Sequence, residues 1–333
     1  MTSKNMTAVR NGEIKTHDSE EEFIIKHKGD RYDISRFLQF HPGGRNTVSP
    51  YKGLSITEKF LDINHSPAAT YLMREYKLPD TSKDSVIEDL EKLVDWSKPM
   101  LSQVGKLGPK YKEWVSFPVD RKLRLFYWDI IENMTVTPWY LIPIVWIPVS
   151  IFFIYLGWLT NQQEIKGGTG LVWAVVSFLT GIIMWSLLEY SLHRWVFHSQ
   201  PPATSPFLIT LHFLIHGLHH KVPFDDQRLL FPPVPAAILA VILYSIYTVI
   251  FPPWMLSFTA GGTVIGYIIY DLMHFYLHYG SPTDGSYLYN MKRYHNQHHF
   301  THHENGFGIS STFWDKIFGT EIILRKLSRA LKW

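Results

Sequence analysis

The chain has 333 residues, with 32 lysines and arginines, 29 aspartates and glutamates, and no cysteine. This length allows about two domains; the near balance of charge gives no case for a nucleic-acid partner, and the lack of cysteine excludes disulfides, iron–sulfur clusters and thiol catalysis. Of the 61 charged residues, 41 lie in the first 132 positions, whereas 13 of the 17 histidines lie between His193 and His303. A polar front part therefore precedes an apolar, histidine-rich rear part.

The front part begins with a polar tail, residues 1–21, which has no apolar run of the signal-peptide type. A His41-Pro-Gly-Gly turn follows, and His65 comes 24 positions after His41. The small turn residues leave room for a flat porphyrin beside the imidazole. Two neutral imidazoles complete a six-coordinate iron, which suits electron transfer rather than oxygen binding. Either histidine alone is better explained as an ordinary turn residue.

Together the two histidines and their flanking residues resemble the cytochrome b5 family over about residues 22–80. The resemblance rests on Lys28–Asp33, Ser35–Leu38, the His41 turn, Phe60–Ser66 and Arg74–Leu78. It implies a small α+β domain that binds haem b through His41 and His65 and receives electrons from an NAD(P)H-dependent cytochrome reductase. Two departures concern haem affinity: Asn64 stands where a glycine usually precedes the second ligand, and the N-terminal strand region is short.

Residues 81–132 are predicted to link the two parts through amphipathic and interfacial helices. Ser85 and Glu88 have the spacing of a capping box at a helix start. Lys122–Ile131 is basic and then aromatic, which favours a helix lying at a membrane surface.

Uncharged runs within residues 133–333 predict four transmembrane helices. Leu141–Leu159 spans about 28 Å as a helix, enough to cross the hydrocarbon core, and Gly167–Leu188 is the second run. An uncharged stretch of 42 residues before Asp271 is divided by Pro252-Pro253 into the third and fourth. Four buried helices of a large soluble core are the alternative, but tryptophans and tyrosines near the ends of the runs favour a bilayer.

The loops predict the orientation. Basic residues precede the first span and lie between the second and third. The remaining short loops contain a single basic residue, Lys166. The positive-inside rule then places both termini and every histidine motif on the cytosolic side.

Ten histidines of the rear part form a candidate metal-ligand set. They are His193, His198, His216, His219, His220, His274, His278, His295, His298 and His299. Helical spacings of three and four put side chains on one face, so His216, His219 and His220 are expected to converge. His193 and His198 are about 140° apart on a regular helix, so they serve different metals or lie where the helix ends.

Ten imidazoles suffice for two ions with about five ligands each, whereas a tetrahedral zinc takes at most four. Nitrogen ligands suit iron, zinc or copper. Because zinc has no redox chemistry, a fused electron-carrying haem domain favours iron, which zinc could displace during preparation. His212, His302 and His303 are expected to have surface or supporting roles. Five carboxylates are candidate acceptors for the imidazole N–H groups, although solvated or capping roles fit them equally well; they are Glu189, Asp225, Asp226, Asp271 and Glu304.

The rear part resembles the membrane fatty acid hydroxylase superfamily over about residues 110–320, and within it the fatty acid 2-hydroxylases that carry an N-terminal haem domain. The matching stretches are Glu189–His198, His216–Asp225, Leu229–Ala236, Tyr270–His274, Leu277–Pro282 and Gly306–Ser310. The resemblance implies that the ten histidines hold a di-metal centre with four transmembrane helices beneath it.

The same resemblance implies an endoplasmic reticulum monooxygenase that uses dioxygen to hydroxylate C2 of a long-chain fatty acid, acyl-CoA or ceramide for sphingolipid synthesis. One alternative is a sterol or other lipid oxygenase or desaturase with the same centre. Another is a membrane electron carrier or metal transporter without chemistry of its own. A transporter places its sites near the midplane, whereas these histidines follow the ends of the spans.

Overall fold

The computed structural model describes residues 22–63, 65–79, 90–166, 168–327 and 330–333. A small unit of two strands and short helices precedes a rear part whose described elements are helices. Four of these helices are long and apolar enough to cross a membrane. The predicted fold class, an α+β haem-type unit followed by an all-α membrane domain with a histidine-rich cap, is confirmed, and the chain is a multi-pass membrane protein.

The front unit starts with a hairpin in which β1 (Ile24–His27) pairs antiparallel with β2 (Asp30–Asp33). Lys28 and Gly29 form the turn, and both have positive φ, as a tight two-residue hairpin turn requires. Three short helices follow: α1 (Arg45–Val48), α2 (Thr57–Asp62) and α3 (Pro67–Met73).

The core of the front unit includes a residue from the rear part. Ile25, Tyr32 and Leu72 are buried together with Phe300, and Phe224 packs against the same cluster. Removing this apolar surface from water stabilises the contact by roughly 25 cal/mol per Å². The front unit therefore packs in a defined position against the rear part.

The linker consists of short helical turns and two short helices. The turns are Leu90–Leu93, Met100–Ser102 and Val104–Lys110, and the helices are α4 (Tyr111–Ser116) and α5 (Asp129–Asn133). Their buried side chains form one cluster with residues of the rear part, among them Trp114 and Phe213.

The interfacial helix predicted over Lys122–Ile131 is wrong for most of its length, because residues 122–128 are not helical and only the last three belong to α5. Leu123 and Leu125 are buried in the linker cluster, at alternate positions as in an extended chain. The Glu132 carboxylate accepts the backbone N–H groups of Leu125 at 3.0 Å and Phe126 at 2.8 Å. A basic-then-aromatic pattern cannot reveal this packing against protein. Ser85 and Glu88 lie outside the described residues.

A buried ion pair joins the linker to the rear part. Lys221 Nζ lies 2.7 Å from Glu91 Oε1, and the two side chains are 0% and 5% exposed. Lys221 also donates to the carbonyls of Trp114 at 2.9 Å and Phe117 at 2.7 Å, and the Tyr71 hydroxyl donates to Glu91 at 2.9 Å. Burial nevertheless lowers the pKa of Lys221 to about 8.

We expect Glu91→Gln to lower the free energy of unfolding by about 3 kcal/mol, because it leaves the Lys221 charge buried without its counter-ion. Thermal unfolding of the detergent-solubilised protein would measure the loss. Glu113→Gln is the matched control: Glu113 lies 3.7 Å from Lys110 at an exposed position, where an ion pair contributes well under about 1 kcal/mol. Equal unfolding temperatures for the two variants would contradict the expectation.

The four membrane helices are α6 (Leu141–Thr160), α8 (Thr169–Ser191), α11 (Pro233–Ile250) and α12 (Pro253–Tyr279). All four predicted spans are thus confirmed. The break at Pro252-Pro253 is confirmed as well, because α11 ends just before these prolines and Pro253 begins α12, where its missing N–H costs nothing.

Helix α12 is the central span: 67% of its most apolar stretch is buried inside the protein, against 22% or less for the other three. Two glycines let it approach α8 closely. A Cβ at Gly262 would lie 1.9 Å from the Phe178 carbonyl oxygen, and one at Gly181 would lie 2.1 Å from the Thr259 carbonyl oxygen. Small residues at such crossings are typical of helix packing in membranes.

The remaining helices are α7 (Gln162–Lys166), α9 (Pro206–His212), α10 (Leu218–Lys221), α13 (Tyr287–Phe300) and α14 (Phe313–Phe318). Helix α7 connects the first two spans. The other four follow the ends of α8 and α12, so chain connectivity puts them at one end of the bundle, where they form the cap.

Candidate di-metal centre and haem site

The ten candidate histidines of the rear part converge on two adjacent groups of five. Group one consists of His193, His198, His216, His220 and His298. Group two consists of His219, His274, His278, His295 and His299. Within each group, one ring nitrogen from every histidine lies within 4.8 Å of the others. Nitrogens bound at about 2.1 Å to one ion would lie within about 4.2 Å of one another, so each group has nearly the size of one coordination sphere.

The histidines of the motifs are divided between the two groups according to their spacing in the sequence. Each pair four residues apart, such as His216 with His220 or His295 with His299, contributes to a single group. The histidine three residues after the first member, His219 or His298, joins the other group. His216, His219 and His220 therefore meet at the centre but not on one group, and the two three-histidine motifs contribute to both groups, whereas the pairs His193 with His198 and His274 with His278 each contribute to one.

His193 and His198 belong to the same group, so they do not serve different metals, and both follow the end of α8, the second of the two expected arrangements. Helix α8 widens at its end into a π-helical turn over Leu192–Phe197, and the backbone N–H of His198 donates to the His193 carbonyl at 3.0 Å. This bond spans five residues instead of four, so side chains five apart come onto one face. π-helical turns inside α-helices occur frequently at functional sites.

Hydrogen bonds fix which ring nitrogen points into the centre. His193 Nδ1 lies 2.6 Å from the Phe307 carbonyl oxygen, and His298 Nδ1 lies 2.8 Å from that of Asn305. Because a carbonyl only accepts, both Nδ1 atoms carry the proton and both Nε2 atoms carry a lone pair. These two Nε2 atoms are buried without a hydrogen-bond partner. Buried lone pairs of this kind fit a metal ion.

Other Nε2 atoms face one another at short range. The separations are 2.9 Å for His216 and His220, 2.9 Å for His219 and His299, and 2.8 Å for His278 and His295. Additional pairs at 3.1–3.2 Å connect more of the ten rings. Two Nε2 atoms this close repel unless one of them carries a proton or a metal ion lies between them, and ten such nitrogens gathered in two groups fit bound metal.

The rings outside the membrane helices are uncharged at neutral pH. Burial lowers the pKa of His216, His219 and His220 well below its ordinary value, and neighbouring imidazoles lower it further. Burial acts in the same direction on the pKa of His295, His298 and His299. Neutral imidazoles are the form that binds metal.

The Gly306–Ser310 stretch, which the sequence indicated only as part of the family resemblance, orients part of the centre. The backbone N–H groups of Phe307 and Gly308 donate to the Asp315 carboxylate at 2.9 and 2.8 Å, which places the Phe307 carbonyl against His193. Glu189 accepts the Ser310 backbone N–H at 3.0 Å and so holds the same loop. Glu189 thus supports the centre through a loop rather than by accepting an imidazole proton. Backbone carbonyls have no signature in a sequence.

The three remaining histidines of this region surround the two groups. His212 Nδ1 lies 2.6 Å from the Tyr111 hydroxyl. The ring of His303 lies 6.0 Å from that of His220, and His302 is exposed. All three are outside both groups.

The front unit brings His41 and His65 together. Their ring centres are 6.5 Å apart, and two imidazoles bound to one iron at about 2 Å would have centres about 6 Å apart. Nδ1 of His65 lies 2.9 Å from the Phe60 carbonyl oxygen and Nδ1 of His41 lies 3.3 Å from that of Gly44. The Nε2 lone pairs are therefore free for an iron between the rings. Asn64 lies outside the described residues.

The surroundings of this pair also fit a haem. Burial lowers the pKa of His41 to about 4 and shifts that of His65 in the same direction, so both rings are neutral. A Cβ at Gly43 would lie 2.8 Å from Cε1 of His41, so the turn leaves space for the ring only because this position is glycine.

Comparison with known protein families agrees with both sites. Residues 178–320 match a family model described as fatty acid hydroxylase, and residues 10–82 match one described as cytochrome b5-like haem/steroid binding domain. The first match contains all ten histidines of the two groups, and the second contains His41 and His65.

Curated relatives cover most of the chain. A fatty acid 2-hydroxylase of Homo sapiens is 40% identical, over 87% of this chain and 88% of its own length. A ceramide very long chain fatty acid hydroxylase of Saccharomyces cerevisiae is 28% identical over 96% of this chain and 95% of its own. A solved structure described as full-length scs7p, with only its hydroxylase domain visible, superposes with a TM-score of 0.63 at 28% identity, covering 77% of this chain and 92% of that one.

Proposed function

The chain belongs to the fatty acid 2-hydroxylase family, and on this premise we propose that it hydroxylates C2 of long-chain fatty acyl groups for the synthesis of 2-hydroxy sphingolipids. The observation that carries the proposal is the pair of five-histidine groups at the ends of the apolar helices α8 and α12. The acyl group reaches the enzyme as a free acid, an acyl-CoA or a ceramide; the yeast relative is named for ceramide.

We propose that each group holds one iron ion, with His193, His198, His216, His220 and His298 as ligands of the first and His219, His274, His278, His295 and His299 as ligands of the second. The di-iron pair supplies the activation of dioxygen. Zinc fits the same nitrogens but has no redox chemistry. The haem-type unit beside the centre supports iron, because an electron carrier has a use only with a redox-active metal.

The residues around the centre determine where an acyl chain can react. His193 and His274 are 2% and 5% exposed, and both lie near the ends of apolar helices. An acyl chain that lies along these helices has its carboxyl end at the cap, so a carbon near that end lies beside the histidines. Position C2 meets this requirement, whereas carbons in the middle of the chain lie deeper in the bilayer.

The cellular setting follows from the same proposal. We place the protein in the endoplasmic reticulum membrane with both termini and the histidine cap in the cytosol, because the basic residues flank the spans on that side. His41 and His65 hold haem b, which an NAD(P)H-dependent cytochrome reductase supplies with electrons. The proposed regions are a tail (1–21), a haem domain (22–80), a linker (81–132) and a hydroxylase domain (133–333).

Expression in a host that lacks fatty acid 2-hydroxylation tests the proposal. We expect 2-hydroxy fatty acids in the sphingolipid fraction by mass spectrometry, and cells grown under ¹⁸O₂ should carry the label in the new hydroxyl group. The empty host is the control. Unchanged 2-hydroxy sphingolipids together with altered sterols would instead favour a sterol oxygenase.

A further inference from the structure

The last four residues of the sequence, Ala330–Trp333, lie between the haem-type unit and helix α13 of the metal centre. One side contacts the turn that follows His41. Asn46 Nδ2 donates to the Ala330 carbonyl at 2.8 Å, and the Lys332 backbone N–H donates to Asn46 Oδ1 at 3.0 Å. The Arg45 backbone N–H donates to the Lys332 carbonyl as well. The Asn46 amide thus binds the backbone on both sides of Leu331.

The opposite side of the 330–333 segment contacts α13. The Leu331 backbone N–H donates to the Tyr289 hydroxyl at 2.7 Å. Peptide groups of an extended chain point alternately to its two edges. The backbone groups of residues 330 and 332 therefore bind the haem-type unit, while that of residue 331 binds the metal-centre helix. One edge of the segment is thus hydrogen-bonded to the haem-type unit, and the opposite edge is hydrogen-bonded to α13.

Trp333 anchors the segment close to a histidine of group two. Its ring packs against Tyr289 at 5.3 Å between centres, and Lys292 Nζ lies 5.1 Å from the centre of the Trp333 ring. Lys292 is only 2% exposed, and it donates to the carbonyls of His278 and Gly280 at 3.0 Å each. The anchor therefore rests on the backbone at the end of α12, where His278 lies.

Aromatic contacts next to the segment bring the His41 turn close to the same place. Phe40, which precedes His41, contacts Tyr279 with ring centres 5.6 Å apart and Phe224 with centres 5.1 Å apart. Tyr279 directly follows His278. A short chain of rings and covalent bonds thus leads from the proposed haem ligand to the proposed metal ligand.

We infer that the 330–333 segment is a strap that fixes the haem domain on the hydroxylase domain, with the turn at Phe40 and His41 next to the His278 end of α12, so that electrons pass within one chain in a set geometry. The inference rests on the proposed function. Each transfer oxidises one ferrous haem to the ferric form and reduces the di-metal centre by one electron. Two transfers, renewed by the NAD(P)H reductase, with two protons, one dioxygen and the C–H bond at C2 of the substrate give one C–OH group and one water.

Two variants of the full-length protein test the strap. One lacks residues 330–333, and the milder one is Asn46→Ala, which removes two of the bonds to the segment. Asn290→Ala is the matched control, because Asn290 is exposed on α13 and, among the described residues, its amide donates to the Ser286 carbonyl one turn earlier in the same helix. Hydrogen–deuterium exchange measures the docking directly, without activity. We expect both strap variants to exchange about tenfold faster over residues 40–51 and 287–300, and the control to match the wild type.

Stopped-flow spectroscopy of the haem measures the consequence. Reduction by the reductase should proceed at the wild-type rate in every variant, whereas haem reoxidation in the presence of substrate and dioxygen should slow about tenfold or more without the strap. Because the chain has no cysteine, Asn46→Cys with Leu331→Cys can be joined selectively by a short bismaleimide. We expect this cross-link to restore fast reoxidation.

The outcomes separate the strap from the proposed function. Unchanged exchange in both strap variants, or unchanged reoxidation once exchange has increased, would overturn the strap while 2-hydroxylation by the wild type stands. Faster exchange in a protein that makes no 2-hydroxy product would support the docking contact and reject the hydroxylase. Reoxidation that slows on dilution of the wild-type protein would show transfer between separate chains, which also overturns the strap.

Discussion

Replacing His298 or His219 by alanine is expected to lower 2-hydroxylation by more than about 100-fold, since even residues that only support metal ligands typically contribute 10–100-fold. The two positions test the two groups separately, because His298 belongs to group one and His219 to group two. His298 Nε2 is a buried lone pair with no hydrogen-bond partner, so its removal takes away a ligand rather than a packing contact.

Metal analysis distinguishes this explanation from simple misfolding. Each variant should lose one of two ions while its haem absorbance stays at the wild-type level, because His41 and His65 lie in a separate unit. His302→Ala is the matched control, since His302 is exposed and outside both groups, and it should retain activity and both ions. Full turnover in either of the first two variants would refute the ligand assignment.

His41→Ala is expected to remove the haem absorbance band and, with it, hydroxylation driven by NAD(P)H. The rings of His41 and His65 are the proposed axial pair, with centres 6.5 Å apart, and the Nδ1 proton of His41 is already committed to the Gly44 carbonyl. A bis-imidazole iron cannot form without it. Absorbance spectroscopy of the purified protein and metal analysis are the measurements, and the two ions of the histidine groups should remain.

A single turnover separates the relay from the reaction itself. Anaerobic reduction by dithionite, removal of the excess reductant and then mixing with dioxygen and substrate should still yield product from His41→Ala, because both five-histidine groups are intact. Gln39→Ala, at an exposed position two residues before His41, should keep both the haem band and NAD(P)H-driven turnover. A haem band that survives in His41→Ala would contradict the axial assignment.

The four spans could be read from the sequence because their signal is local. A run of about twenty residues without charge is long enough to cross the bilayer whatever it packs against, and Leu141–Thr160 and the break at Pro252-Pro253 follow directly. The His41-Pro-Gly-Gly turn and the paired spacings of the cap histidines are local in the same sense. The sequence therefore indicated the class of protein, the number of spans and which histidines to consider.

Where local patterns have two structural solutions, the sequence could not decide between them. Lys122–Ile131 has the composition of a surface helix, yet Leu123 and Leu125 are buried on an extended chain. His193 and His198 fit two sites or one, and the π-helical turn at the end of α8 resolves this in favour of one. A π-helical turn contains one more residue than an α-helical turn, which rotates the following side chain onto another face. The packed surroundings supply the free energy that favours this turn.

The sequence by itself determined that ten imidazoles would gather at one end of four apolar helices, because spacing along a helix and the cost of polar groups in a bilayer are properties of the chain alone. Only the tertiary structure divided His216 from His219 and His295 from His298 between two groups, and only it brought the Phe307 and Asn305 carbonyls and the 330–333 segment into place. The physical reason is that these contacts join residues far apart in the chain through backbone atoms, which are the same in every residue and leave no mark on its identity.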